Sequence, residues 1–310
     1  AVLAAGIGSA MGYLNKLSRA RAGGRRAAEV LAEPVTRYGQ GRLPESSHGG
    51  GGRLEFRGVR VCAGGEPVID GLDLVIPAGA TVAVVGRSGA GKSLLAAVAG
   101  RLADPEQGQV LLDGVALPEL SRAQLRSAVG FAFERPALIG DTIEEVINFG
   151  SRSRTRANVR EAAATARADT FVERLPQGYA TELAAAPLSG GELQRLGLAR
   201  AFARPYRVLV LDDATSSLDT VTEQQVGAVL TNTVLTNTAL AGGDRGQTRL
   251  IIAHRAATAA RTDLVAWLDQ GRVRSLRPHR ELWRDPDYRA LFGAEAAPAV
   301  HRTQPMGVSA

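Results

Sequence analysis

The sequence predicts an α/β fold, and three apolar runs in its 310 residues are the main observations behind that prediction. These runs are "TVAVV" (81–85), "RVLVLD" (207–212) and "TRLIIA" (248–253), and each is continuous rather than alternating. Continuous β-prone runs are typical of strands that are buried on both faces. Because helix-like stretches separate the runs, we expect a largely parallel sheet covered by helices on both sides.

The other elements follow from similar patterns along the chain. "LEFRGVRV" (54–61) alternates and predicts a strand, and "LDLVI" (72–76) predicts another that ends in a Pro-Ala-Gly turn. "KSLLAAVAGRL" (92–102) predicts a helix. Residues 155–175 carry one long helical pattern, and 193–203 carry another.

The composition is that of a globular protein, and it does not favour a nucleic-acid-binding function. The net charge is +6, but the basic residues are scattered and, except for Lys16 and Lys92, all are arginine. No basic stripe is interleaved with aromatic residues, so we expect no nucleic-acid partner. The single cysteine, Cys62, excludes an intramolecular disulfide framework and a cysteine-based zinc site.

The N-terminal segment, residues 1–33, has an unusual order of residue types. Residues 1–14 are apolar, and a basic stretch beginning at Lys16 follows. This order is typical of a transmembrane helix that leaves the membrane on its cytoplasmic side, although an amphipathic helix gives the same pattern. We therefore expect 1–33 to be the end of a transmembrane helix with its cytoplasmic extension, in a fragment of a longer membrane protein.

Composition also sets the remaining boundaries. Residues 34–52 are rich in Gly, Ser and Pro and predict a flexible linker, and the domain extends over 53–293. Within it, 231–246 repeats "TNT" and predicts a surface insertion without an assigned function. Residues 294–310 are expected to form a flexible tail.

The stretch "GRSGAGKS" lies between a predicted strand and a predicted helix and fits the P-loop pattern. Glycines allow backbone N–H groups to surround phosphates, and the helix N-terminus adds positive potential. A lysine here reaches the β- and γ-phosphates, and the following hydroxyl holds Mg²⁺. A Gly-rich turn that binds nothing is the alternative. The predicted ATP-binding residues are Gly86, Arg87, Ser88, Gly89, Ala90, Gly91, Lys92 and Ser93.

Asp212 ends the second apolar run and is the predicted partner of this loop. A carboxylate at the mouth of a parallel sheet orients Mg²⁺ beside a bound triphosphate. An acidic residue after an apolar strand is also found at plain strand ends. Its distance from the P-loop along the chain favours the metal site, which we predict to include Ser93 and Asp212.

The octapeptide "LSGGELQR" (188–195) follows, and with the P-loop, "LDDATSSLD" and "IIAHR" it resembles the ATP-binding domain of ABC transporters of the exporter type. The resemblance covers about 53–293. It implies a P-loop NTPase fold with a RecA-like core, an antiparallel β subdomain and an α-helical subdomain at about 119–185. The N-terminal segment resembles the end of the last transmembrane helix of such exporters, which implies a position on the cytoplasmic face of the cell membrane.

The resemblance also implies roles for further residues. Ser189, Gly190 and Gly191 open a helix, so their N–H groups can face an anion; in the family this is the γ-phosphate on a second ATP-binding domain. His254 matches a histidine that contacts the γ-phosphate, and Ser216–Asp219 matches a loop that communicates between two sites. Glu134 takes the position that binds the metal and couples to the membrane domain.

Three positions depart from the family's pattern. Asp213, the candidate catalytic base, stands where the family normally has Glu, and a carboxylate withdrawn by about 1 Å can cost on the order of a hundredfold in rate. Glu134 replaces a Gln, and Ala63 replaces an aromatic residue expected to stack on adenine. The stretch before the signature, 182–187, is also shortened.

These departures lead to one preferred function and two alternatives. The preferred hypothesis is the ATPase domain of an exporter, which binds ATP with Mg²⁺ and drives efflux. In this hypothesis the domain belongs to a heterodimer that also contains transmembrane domains, and its own ATP site is the degenerate one of the pair. The alternatives are a fully active homodimeric exporter and a regulatory module that binds ATP without hydrolysing it. A chromosome-maintenance ATPase is disfavoured because fewer than about a hundred residues separate Ser93 from Ser189, without heptads. The transported substrate is not predicted.

Overall fold

The structure, a computed structural model, describes residues 2–32, 35–45, 52–151, 155–231 and 246–293. The chain divides into two compact units, Ala1–Tyr38 and Gly39–Ala310. The first unit consists mainly of helix α1 (Val2–Ala32), whose side chains are exposed from Met11 onward. None of the helices in the described ranges combines the length and the apolarity that crossing a bilayer requires.

The second unit contains two sheets. In chain order their strands are β1 (Leu54–Ala63), β2 (Glu66–Ile76), β3 (Thr81–Val85), β4 (Gln107–Leu112), β5 (Val115–Ala116), β6 (Val129–Phe133), β7 (Val208–Asp212), β8 (Thr248–Ile252), β9 (Leu264–Asp269) and β10 (Arg272–Arg277).

The larger sheet has the order β10-β9-β3-β8-β7-β6. All of its neighbours pair in parallel except β10, which is antiparallel to β9. Every residue of β3 and of β8 is buried, which is why their sequences are continuous apolar runs. The largely parallel sheet predicted from the sequence is confirmed.

The smaller sheet is antiparallel, with the order β2-β1-β4-β5. It is the antiparallel β subdomain that the family resemblance implies. Strand β2 contacts β10 of the larger sheet, and the backbone N–H of Asp70 donates to the carbonyl of Gly271 at 3.2 Å. The smaller sheet is therefore fixed beside the β9–β10 edge of the larger one.

The helices of the second unit are mostly short. They are α2 (Lys92–Ala99), α3 (Arg122–Ala128), α4 (Ile143–Asn148), α5 (Arg156–Thr165), α6 (Asp169–Val172), α7 (Gly190–Phe202), α8 (Thr220–Thr231), α9 (Ala256–Ala259), α10 (His279–Leu282) and α11 (Pro286–Gly293). Helices α4, α5 and α6 pack with α7 around one apolar core, and they form the helical subdomain.

The prediction of a single helical segment over 155–175 is wrong. Helix α5 ends at Thr165, and Arg167 adopts a left-handed conformation with φ of +57°. The N–H groups of Arg167 and Ala168 then donate to the carbonyls of Ala164 and Ala163, at 3.0 and 2.7 Å. This is the Schellman motif that closes a helix, here with arginine in the place that glycine usually takes.

Part of the predicted flexible linker is fixed to the second unit. The N–H groups of Gly39 and Gly41 donate to the carbonyls of Pro118 and Glu119, at 2.9 and 2.8 Å, just after β5. A Cβ atom on Gly39 would lie 2.1 Å from the Glu119 oxygen, so a side chain does not fit there. Leu43 is buried. Residues 46–51, most of the predicted insertion (232–245) and the predicted tail (294–310) lie outside the described residues.

Candidate functional site

The candidate site lies where the parallel strands β3, β6, β7 and β8 end. Their carboxyl ends meet at one edge of the sheet, which is where open α/β sheets bind ligands. The loop 86–91 follows β3, Glu134 follows β6, Asp212 and Asp213 close β7, and His254 follows β8. The fold therefore brings the sequence-predicted residues of four separate segments to one edge.

The loop 86–91 curves around the side chain of Lys92. The Lys92 ammonium donates to the carbonyls of Gly86 at 2.8 Å and Arg87 at 3.2 Å, and this side chain is almost fully buried. Gly91 has φ of +93°, and a Cβ atom there would lie 3.1 Å from Ile69 of β2. The positive φ favours glycine at this position, and any Cβ atom would also be crowded by Ile69.

Two oxygen-bearing side chains stand at the start of α2 and the end of β7. The Ser93 hydroxyl donates to the Asp212 carboxylate at 3.0 Å. Burial raises the pKa of Asp212, and the Ser93 hydrogen bond partly opposes that rise. The described part of the chain contains no group of three or more His, Cys, Asp and Glu residues able to hold a metal ion. Ser93 and Asp212 suit Mg²⁺, which keeps water and phosphate oxygens beside one or two protein ligands.

Asp213 and His254 are in direct contact. The His254 Nε2 atom lies 2.8 Å from the Asp213 carboxylate, and the two side chains are 42% and 25% exposed. Asp213 has φ of +50°, a left-handed backbone that a residue other than glycine adopts infrequently. The Asp213 carboxylate is thus in contact with the histidine that follows the adjacent strand, β8.

Glu134 and Ala63 occupy the positions expected from their strands. Glu134 is exposed after β6 and lines a cavity of about 330 Å³ together with Asp213, Ser216 and His254. Ala63 is exposed at the end of β1, where its methyl group offers no aromatic ring to a nucleotide base.

The signature residues begin helix α7 through a capping box. Ser189 is the N-cap, its hydroxyl accepts from the Glu192 N–H at 3.4 Å, and Glu192 accepts from the Ser189 N–H at 2.8 Å. The latter hydrogen bond is the main cause of a lowered pKa for Glu192. Gly190 faces open space, whereas a Cβ atom on Gly191 would lie 3.1 Å from the Ser217 carbonyl oxygen. The signature therefore adjoins the loop Ser216–Asp219 of the same chain.

Sequence reasoning missed Gln194, which lies in α7 and is 1% exposed. Its side-chain amide contacts Glu134, Asp213, Ser216 and Ser217. A signal was present in the sequence, because Gln194 shares a helical face with Leu198 and Ala201, which are both buried. A polar residue on an apolar helix face is buried only with hydrogen-bond partners.

The fold and this arrangement define a class of protein, the P-loop nucleotide-binding domains, in which a phosphate loop and a strand-end carboxylate meet at the edge of a parallel sheet. Residues 69–216 match the family model described as ABC transporter. The chain belongs to the ABC transporter family.

Individual relatives support this assignment. The chain is 53% identical over 294 residues to the ABC transporter ATP-binding protein RamA of Streptomyces coelicolor, covering 95% of this chain and 44% of that protein. It is 39% identical over 246 residues to an ATP-dependent lipid A-core flippase of Hahella chejuensis, covering 77% of this chain and 40% of the flippase. The chain thus spans less than half the length of these curated relatives.

A solved structure shows the same fold. A bacterial Atm1-family ABC exporter with ATP bound superposes with a TM-score of 0.70 at 34% identity. The match covers 85% of this chain and 44% of the exporter chain. The prediction of an exporter-type ATP-binding domain is confirmed at the level of family and fold.

Proposed function

We propose that this chain is the ATP-binding domain of an ABC exporter and that it forms the weakly hydrolysing half of a heterodimer. The observation that carries the proposal is the contact between Ser93 and Asp212 beside a shortened carboxylate, Asp213, that is held on His254. Ser93 and Asp212 are suited to binding Mg²⁺ and phosphate. Asp213, held by His254, can act as a base, but its side chain is one methylene shorter than glutamate.

ATP binding rests on the loop from Gly86 to Ser93. Lys92 is already surrounded by backbone carbonyls, and a triphosphate would compete for its ammonium group as a stronger, charged acceptor. Ser93 and Asp212 would hold Mg²⁺, with Glu134 as the third candidate ligand. The bound metal would supply charge neutralisation at the β- and γ-phosphates.

Hydrolysis would depend on Asp213 and His254. Asp213 is the candidate base for the attacking water, and His254 holds the Asp213 carboxylate in place. Asp213 lacks one methylene relative to the residue that the family normally has, and Glu134 adds negative charge to the same cavity. Both features slow hydrolysis at this chain's own site.

The signature supports the second half of the proposal. Ser189, Gly190 and Gly191 form an intact, capped helix start that can face the γ-phosphate on a partner domain. This chain therefore combines a weakened catalytic site with an intact signature. The combination is expected of a heterodimer in which the ATP bound to the partner domain is hydrolysed in contact with this chain's signature. The transmembrane domains, the efflux function and the cytoplasmic face of the membrane belong to this proposal and are suggested by the exporter relatives.

Two substitutions in the intact protein, purified with any partner that accompanies it, test the arrangement. Lys92→Met removes this chain's phosphate contact, and Gly190→Asp adds a charge to its signature in open space, where a side chain fits. The heterodimer predicts that Lys92→Met leaves most steady-state ATP hydrolysis, whereas Gly190→Asp abolishes it.

The alternatives give different results in the same assay. If both substitutions abolish hydrolysis, the protein is a fully active homodimer and the heterodimer proposal is wrong. If the wild-type protein binds ATP without turnover, alone and with its partner, it is a regulatory module.

A further inference from the structure

Gln194 connects two loops of the candidate site to the signature helix through one side chain. Its amide nitrogen shares two hydrogens among three acceptors, the carbonyl of Glu134 at 3.2 Å, the carbonyl of Asp213 at 3.1 Å and the Ser216 hydroxyl at 3.3 Å. Its amide oxygen accepts from the N–H of Ser217 at 3.0 Å. Gln194 belongs to α7, so these hydrogen bonds join the signature helix to the loops after β6 and β7.

The contact with Asp213 fixes an unfavourable backbone conformation. Asp213 is left-handed, and such residues persist when surrounding contacts hold them. Its carbonyl accepts from Gln194 and also from the N–H of Ser216 at 3.1 Å. The direction of the Asp213 side chain depends on this backbone, and the carboxylate lies 2.8 Å from His254 as a consequence.

The contacts with Ser216 and Ser217 fix the neighbouring loop against the signature. The Ser217 N–H is held by Gln194, and the Ser217 carbonyl lies close to Gly191, 3.1 Å from where a Cβ atom would be. The position of the loop Ser216–Asp219 is thus set by the same helix that presents Ser189 and Gly190.

We propose that Gln194 is a positioning residue, which sets the catalytic geometry of Asp213 and couples it to the signature helix of the same chain. This inference rests on the proposed function, because it assigns Gln194 a role in ATP hydrolysis. Gln194 makes no hydrogen bond to the phosphate loop, to Ser93 or to Asp212, and it contacts Glu134 through the backbone carbonyl and not through the carboxylate that would bind the metal. Its loss therefore impairs turnover and leaves ATP binding unchanged.

The substitution Gln194→Met tests the role, since methionine is similar in length and makes none of these hydrogen bonds. Gln247→Met is the matched control, because Gln247 is partly buried, donates to the Tyr206 carbonyl at 3.0 Å and precedes β8 at the opposite edge of the sheet. Both variants lose a glutamine amide, and only Gln194 contacts the candidate site.

The readout is kcat and KM for ATP in the intact protein with its partner. We expect Gln194→Met to lower the turnover of this chain's own site, which is the part of kcat that Lys92→Met removes, by about 10- to 100-fold, since a displacement of about 1 Å can cost that much. KM should stay within about twofold, as expected when only transition-state contacts are lost. Gln247→Met should leave both constants unchanged. Unchanged turnover at this chain's own site in Gln194→Met, or an equal fall in both variants, would overturn the proposal.

A structure of the Gln194→Met variant gives a test that does not depend on turnover. We expect Asp213 to leave the left-handed region and its carboxylate to separate from His254 beyond hydrogen-bond distance. Retention of both features would refute the positioning role. If the wild-type protein binds no ATP, the proposed function fails, and the geometry of Asp213 in the variant still decides the inference.

Discussion

Lengthening the carboxylate at position 213 should change activity and stability in opposite directions. The substitution Asp213→Glu adds one methylene and returns the reach that the family normally has. The present carboxylate lies 2.8 Å from His254 and is only 25% exposed, so its position is well defined and the added length displaces it towards the site. We therefore expect Asp213→Glu to increase hydrolysis at this chain's own site.

The size of both effects follows from the geometry. A displacement of about 1 Å corresponds to a change in rate on the order of 10- to 100-fold, so the turnover of this chain's own site, which is the part of kcat that Lys92→Met removes, should rise by that factor. Asp213 is left-handed at φ of +50°, a conformation that aspartate tolerates better than glutamate does. The substitution should therefore cost about 1 kcal/mol of stability, or roughly 2–4 °C in Tm for a domain of this size.

Two measurements on the intact protein check this prediction. Steady-state ATP hydrolysis gives kcat, and thermal unfolding without nucleotide gives Tm, with Asp213→Asn as the isosteric control. In the Lys92→Met background the added activity of Asp213→Glu should disappear, because it arises at this chain's own phosphate loop. If Asp213→Asn abolishes turnover while Asp213→Glu fails to raise it, aspartate is a fully competent base and the reasoning is wrong.

Three further substitutions test other parts of the domain. Lys92→Met should weaken ATP binding to this site by about 10- to 150-fold, because it removes a charged donor worth about 1.5–3 kcal/mol. Isothermal titration calorimetry measures the affinity, and an unchanged value would show that the phosphates bind elsewhere. Ala63→Tyr should tighten ATP binding by roughly 5- to 150-fold through stacking worth about 1–3 kcal/mol, and tripolyphosphate, which has no base, provides the control ligand. Gly130→Ala should lower the free energy of unfolding by about 1–3 kcal/mol, since its Cβ would lie 2.3 Å from the Tyr206 ring. Denaturant unfolding measures this change, and an unchanged free energy would show that the ring moves freely.

The sequence predicted those features that depend on local patterns. "TVAVV" became β3 over Thr81–Val85, and the P-loop pattern placed Lys92 at the start of α2. Helix α7 begins at Gly190, three residues before the apolar pattern that predicted it, because the capping box of Ser189 and Glu192 extends the helix N-terminus.

The sequence did not predict features that depend on distant contacts or on backbone strain. Residues after Gly39 were expected to be flexible, because nothing in a Gly-rich stretch shows that it meets Glu119 about eighty residues later. The end of α5 was missed because Arg167 takes a left-handed conformation usually left to glycine. Gln194 was missed because its four partners come together only after folding. The catalytic roles of Asp213, His254 and Glu134 stay predictions.

The attachment of residues 39–44 has a mechanical consequence. Hydrogen bonds from Gly39 and Gly41 after β5, and from the Arg207 side chain to the Pro44 carbonyl at 2.7 Å, fix the point at which the chain enters the domain. If these six residues were free and extended at about 3.4 Å each, they would let the preceding chain move by up to about 20 Å before the domain was displaced. Because these residues are attached, a displacement of the preceding chain by a few ångströms acts directly on the domain at the end of β5. It is not taken up by straightening of residues 39–44.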